Sequence, residues 1–174
     1  AFTLKLFSTN PLQSIFTSIG ATLITITYIP LLLSPILPLQ IKYTNYLIFT
    51  LFVIWASDSS ALFFGKYLGK RSLYKIISPK KTVEGLIGSY FGGFIIATIY
   101  NDYFTISKKL DFYIITFAII TAGAIGDLVE SMFKRSCNVK DSGQVIPGHG
   151  GLLDKIDSLL FAVPIIYLYI FFRT

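Results

Sequence analysis

Five apolar stretches of about twenty residues each leave this chain a narrow choice of architecture. They run over Leu12–Leu33, Tyr46–Phe64, Val83–Tyr100, Phe112–Val129 and Leu152–Phe172. Each is near the ~20 residues an α-helix needs to cross the hydrocarbon core of a bilayer. In that medium every backbone polar group must be satisfied within the segment or by a closed barrel, which favours helices for runs of this length. Only 14% of the residues are charged and 53% are hydrophobic, whereas a soluble domain carries about 25% charged residues. The expected fold is all-α: a polytopic integral membrane bundle of about five transmembrane helices. We read residues 1–174 as a single membrane domain.

Charge is distributed unevenly along the chain. Six of the fifteen basic residues, Lys66, Lys70, Arg71, Lys75, Lys80 and Lys81, fall in one loop between spans. Lys134, Arg135 and Lys140 fall in another. Both loops follow an even-numbered span, so both face the same compartment, while the opposite loops carry only Lys42, Lys108 and Lys109. The positive-inside tendency then places the rich loops, and the start of the chain, on the cytoplasmic side. Such clusters suit anionic lipid headgroups or an anionic substrate. The net charge of +6 comes with no nucleic-acid reading motif, so no nucleic-acid partner is expected. A single cysteine, Cys137, excludes an intrachain disulfide. The chain opens at Ala1 with no signal-peptide pattern over Phe2–Asn10. We expect further N-terminal sequence to precede it.

Ionisable residues beside lipid are costly, which makes them candidates for function. Asp127 and Ser131 lie four apart at the end of the fourth span and share a helix face, with Glu130 able to join them. Asp154 and Asp157, three apart, share a face at the start of the fifth. Should the two helix ends meet, Asp127 and Asp154 would face each other across a metal, and oxygen-only ligation suits Mg²⁺. The alternative is that these carboxylates only complement a helix N-terminus. His149 stands in Pro147-Gly148-His149-Gly150-Gly151, a turn whose amides can meet phosphate oxygens. It reads either as a proton carrier or as a structural turn residue. Lys80 and Lys81 precede a helix start, where cations oppose the dipole unless an anion sits between them. They read as phosphate ligands or as surface lysines. Asp58, late in the second span, requires a partner such as Lys66, Lys80 or a cation. Gly85, Gly88, Gly92 and Gly93 read mainly as a close helix contact, and alternatively as a groove for a lipid chain. No Walker A spacing, Ser-His-Asp order or dinucleotide fingerprint is present.

Ser131-x-x-Lys134-Arg135, Lys140-Asp141-x-Gly143, Pro147-Gly148-His149-Gly150-Gly151 and Asp154-Lys155-Ile156-Asp157 together resemble the phosphatidate cytidylyltransferase (CDP-diacylglycerol synthase) pattern. Upstream, Asp58-Ser59-Ser60-Ala61, Gly65-Lys66, Gly69-Lys70 and Ser78-Pro79-Lys80-Lys81-Thr82-x-Glu84-Gly85 resemble another block of the same family. The resemblance covers residues 58–174, a cytidylyltransferase-like region. Two positions depart from it: Lys155 stands where the family has arginine, and Leu62 where a tyrosine is frequent. A lysine keeps the charge but loses the bidentate fork.

The resemblance implies that CTP and phosphatidate react to give CDP-diacylglycerol and pyrophosphate with Mg²⁺, with room for a second cation. It implies metal ligation by Asp127 and Asp154. It implies catalytic roles for Lys134, Arg135, Lys140, Asp141, His149 and Asp157. Substrate contacts would come from Asp58, Ser78, Lys80, Lys81, Glu84, Ser131, Gly150, Gly151 and Lys155. It further implies a bacterial inner membrane with the site facing the cytoplasm, and it admits a homodimer. A CTP-dependent lipid kinase or a CDP-archaeol synthase would share the architecture. An ion-coupled transporter would spread its charges through the midplane, whereas here they cluster at one face.

Overall fold

Long apolar helices whose polar ends gather on one side build the bundle. The computed structural model describes residues 12–75, 77–106, 109–139, 142–143 and 151–173. Lys140, Asp141, His149 and Gly150, all expected in the site, lie outside the described residues. Along the chain come helices α1 (Leu12–Leu33), α2 (Ile36–Lys42) and α3 (Thr44–Leu68). Strands β1 (Ser72–Tyr74) and β2 (Ser78–Thr82) follow, then α4 (Val83–Phe104), α5 (Lys109–Ser136) and α6 (Leu153–Arg173). Among the described residues, helices α3, α4, α5 and α6 are long and apolar enough to cross a membrane. The protein is an integral membrane protein. Helix α1 forms over the expected range, and the proline-rich LSPILPLQ that follows it turns and re-enters a short helix. Pro38 is tolerated there because it sits in the first turn, where no intrahelical amide bond is lost.

Helices α3, α4 and α5 exceed the apolar windows that announce them. The fourth expected span ends at Val129, but α5 continues to Ser136. Polarity ends a hydropathy window without ending a helix, and the i,i+4 pair of Glu130 and Lys134 supports the extra turns. A second departure is the antiparallel hairpin of β1 and β2, with Ser72 opposite Thr82 and Tyr74 opposite Ser78. Three- and five-residue strands carry too little periodicity to be read from sequence. Pro79 favours extended backbone at this point. Thr82 then caps α4, its Oγ1 accepting the Gly85 amide at 3.0 Å.

Core packing joins α3, α4, α5 and α6 through Phe49, Val53, Ala97, Ile119, Ile120 and Ile166, all essentially inaccessible. Helices α3 and α4 make the most extensive contact in the molecule. Their approach depends on Gly92, where an added Cβ would fall 1.8 Å from Ser60 Oγ and 3.0 Å from the Ala56 carbonyl oxygen. The glycine stripe is thus a close helix contact. An apolar groove does exist on α4, but Ile87, Tyr90, Phe91, Phe94 and Ile95 line it instead of the glycines. Gly92→Val must push α3 and α4 apart, at a cost of at least about 1–3 kcal/mol. We expect a lower unfolding midpoint in detergent; an unchanged midpoint would show that the helices separate freely.

Candidate active site

Helix α5 presents Asp127, Glu130, Ser131 and Lys134 at successive i, i+3, i+4 and i+7 positions, which lie on one face. Helix α6 presents Asp154 and Asp157 in its first turns. The two faces meet because α5 has no side chain at Gly126, where a Cβ would fall 2.5 Å from the Asp157 carbonyl oxygen. Asp127, Glu130 and Asp157 each bring one carboxylate oxygen to within 4.8 Å of the others. Glu130 is only 4% exposed and Asp157 9%. One Asp157 oxygen also accepts the Ser158 amide at 2.7 Å.

Two lysines offset part of this charge. Lys81 reaches in from β2 and pairs with Asp127 at 2.5 Å. Lys134 pairs with Glu130, one turn back on α5, and with Asp154 at 2.7 Å. Asp154 also accepts the Gly151 amide at 2.7 Å, the Ser142 amide at 3.0 Å and the Ser142 hydroxyl at 2.9 Å. From α3, Asp58 adds a further, more exposed carboxylate whose charge acts on Asp127 and Lys81. Among the described residues, therefore, Asp58, Asp127, Glu130, Asp154 and Asp157 gather around Lys81 and Lys134 alone. Glu130 and Asp157 are buried, and buried carboxylates without compensation are strongly unfavourable. Such an excess of oxygen ligands suits a hard divalent cation.

The expected site residues divide into those brought together and those that are not. Asp127 stands in the acidic cluster. Asp154 stands across Lys134 from it, held by Ser142 and Gly151, and Glu130 and Asp157 complete the three-oxygen group. Ser131 is buried on the same α5 face, and Gly151 enters through its amide. Of the tandem lysines only Lys81 turns inward. Lys80 is exposed, because neighbouring residues of a strand face opposite sides. Asp58 therefore lies near Lys81, neither Lys66 nor Lys80: the Lys66 ammonium sits 5.5 Å over the Tyr67 ring.

Lys155 is exposed at the start of α6. Ser78 is half-buried in the hairpin opposite Tyr74. Glu84 accepts the amides of Lys70 and Arg71 at 3.1 and 3.2 Å. Arg135 donates to the carbonyls of Ile77 and Val139 at 3.2 and 3.3 Å. Sequence reasoning missed Ser142 and Ser158. Neither has a signal of its own; each matters only through the aspartate that the fold brings to it.

Residues 1–173 match the family described as the cytidylyltransferase family. The chain is 46% identical over 128 residues to the phosphatidate cytidylyltransferase of Bacillus subtilis, covering 71% of this chain and 46% of that protein. It is 43% identical over 124 residues to the phosphatidate cytidylyltransferase of Staphylococcus saprophyticus, covering 70% of this chain and 47% of the relative. The enzyme of that name from Staphylococcus aureus strain COL is 41% identical with the same coverage. The chain thus spans about half the length of the curated relatives it matches.

Proposed function

Since the chain belongs to the cytidylyltransferase family, we propose that it carries the catalytic end of a phosphatidate cytidylyltransferase. In the proposed reaction a phosphatidate oxygen attacks the α-phosphorus of CTP. A new P–O bond forms, the bond to the bridging oxygen of the β-phosphate breaks, and pyrophosphate leaves with that electron pair. The attacker is already anionic, so no strong base is required. The protein's contribution is alignment and neutralisation of charge.

The observation that carries this reading is the gathering of five carboxylates and two lysines at one end of an otherwise apolar bundle. The donor set fits Mg²⁺: it is oxygen-only, and its three closest oxygens lie within 4.8 Å of one another. Mg–O bonds of about 2.0–2.1 Å can gather such a group after small side-chain adjustments, with waters and substrate phosphates completing the shell. Asp127, Glu130 and Asp157 would hold the ion, with Asp154 joining when Lys134 turns to substrate. Bound there, the ion would offset the charge of the nucleotide phosphates and of the departing pyrophosphate.

Among the described residues, Lys81 and Lys134 are the inward cations. They would move from carboxylate to phosphate oxygen as substrate arrives, a short displacement for flexible stems. Ser131 would donate a hydrogen bond to phosphate, as would the Gly151 amide once it exchanges Asp154 for a phosphate oxygen. The roles proposed for Lys140, Asp141, His149 and Gly150 rest on the motif resemblance alone. The basic loops favour an orientation with this end toward the cytoplasm.

The test is transfer of label from CTP to lipid by purified protein, with phosphatidate and Mg²⁺ omitted in turn. Cytidine-labelled CTP should label lipid only when both are present, and pyrophosphate should accumulate in equal amount. Label reaching lipid only from the γ-phosphate would make the protein a lipid kinase.

A further inference from the structure

Lys81 acts on the acidic cluster from a two-stranded ribbon, and an isolated hairpin of this size is marginal in water. Something must therefore hold β2 at the depth where the Lys81 ammonium meets Asp127. The structure contains two such ties, one at each side of the hairpin. On the α4 side, Glu84 accepts the amides of Lys70 and Arg71 at 3.1 and 3.2 Å, and the Val83 amide donates to the Arg71 carbonyl at 2.9 Å. On the α5 side, Arg135 Nε donates 3.2 Å to the carbonyl of Ile77, the residue that leads into β2. Its Nη1 donates 3.3 Å to the Val139 carbonyl, closing the end of α5.

We propose that Arg135 and Glu84 are positioning residues that fix the hairpin so that Lys81 reaches the acidic cluster. Arg135 sits on the helix that bears Asp127, Glu130 and Lys134, so one element carries both the target of Lys81 and a tie on its strand. A guanidinium engaged with two backbone carbonyls is a fastening at the rim of the site. Glu84 gives the complementary fastening: a carboxylate at the first turn of α4 that gathers two consecutive loop amides. The activity consequences rest on the nucleotidyl-transfer reading above, whereas the structural consequence does not.

Two measurements separate the possibilities. The first is amide hydrogen exchange over residues 72–82 in detergent-solubilised protein. Exchange should accelerate in Arg135→Met and Glu84→Ala and stay near the parent rate in Lys81→Met. Unchanged exchange in both tie variants overturns the proposal whatever the activity does. The second is a double-mutant cycle on initial rates. Lys81→Met alone should lower turnover on the order of 10²–10³-fold, the usual loss on removing one charge-stabilising donor.

Arg135→Met should lower turnover on the order of tenfold in the parent and less than about twofold in a Lys81→Met background. Costs that multiply in the double variant would put Arg135 on substrate directly. Arg135→Gln adds a discriminating arm, because glutamine can donate to the Ile77 carbonyl without a charge. Recovery of most of the rate in that variant supports positioning, and a loss equal to that of Arg135→Met contradicts it. Parent protein inactive in label transfer, yet with exchange responding as expected, would sink the function and leave the fastening intact.

Discussion

Asp127→Asn is expected to reduce CTP-dependent turnover by at least about 10²–10³-fold, the range found when one preorganised electrostatic contact is removed from a reacting phosphate or oxyanion. Asparagine preserves volume and one carbonyl oxygen, so packing against α6 survives and the change is chiefly electrostatic. Two effects then coincide. The three-oxygen cluster of Asp127, Glu130 and Asp157 loses one of its charges, and Lys81 loses the carboxylate that holds it at 2.5 Å. The first effect weakens cation binding; the second leaves the ammonium without its resting position. Turnover should therefore fall while the Mg²⁺ concentration for half-maximal rate rises. Asp154→Asn should be comparably severe, because it leaves Lys134 with Glu130 alone and weakens the hydrogen bonds from the Ser142 and Gly151 amides, which then meet a neutral oxygen. Initial rates across an Mg²⁺ titration decide the matter. Activity within tenfold of the parent in Asp127→Asn would remove that residue from the cation site.

The helices were legible because lipid makes hydropathy nearly decisive: α3 to α6 appear where the apolar runs stand. The face shared by Asp127 and Ser131, and that shared by Asp154 and Asp157, followed from 3.6-residue periodicity. Which face meets which did not follow. Asp154 looked like the partner of Asp127, yet the close contact at Gly126 sets Asp157 beside it and leaves Asp154 across Lys134. That outcome depends on helix separation and rotation, which spacing along one helix does not encode.

The hairpin was hidden for a different reason. Residues 72–82 contain Pro79 and three lysines, a composition that reads as loop. What pairs the strands is context: a capped helix on one side and Arg135 on the other. Hence Lys80 and Lys81 looked equivalent in sequence and differ in the structure, since strand alternation sends one inward and one out.

Lys134→Met is expected to make the stability of the protein depend on divalent cation. In the parent, the Lys134 ammonium lies between Glu130 and Asp154, whose side chains are only 4% and 13% exposed. Removing one member of a buried ionic group leaves its partners uncompensated, which costs about 3–5 kcal/mol. Methionine fills much of the lysine stem, so lost packing contributes little and lost charge dominates. The unfolding midpoint in a chelator should fall well below that of the parent. Added Mg²⁺ should then raise it more in the variant than in the parent, because a ligand that binds only the folded state stabilises it by RT ln(1 + [L]/Kd), about 2.7 kcal/mol at a hundredfold excess over Kd. Adding Glu130→Gln to Lys134→Met removes one orphaned charge and should recover part of the loss in chelator while blunting the response to Mg²⁺. A midpoint in chelator equal to the parent's would mean that the ammonium contributes nothing between these carboxylates. Equal Mg²⁺ responses in parent and variant would mean that the cation binds elsewhere. The readout needs no turnover, so it tests the electrostatics of the cluster apart from the reaction proposed for it.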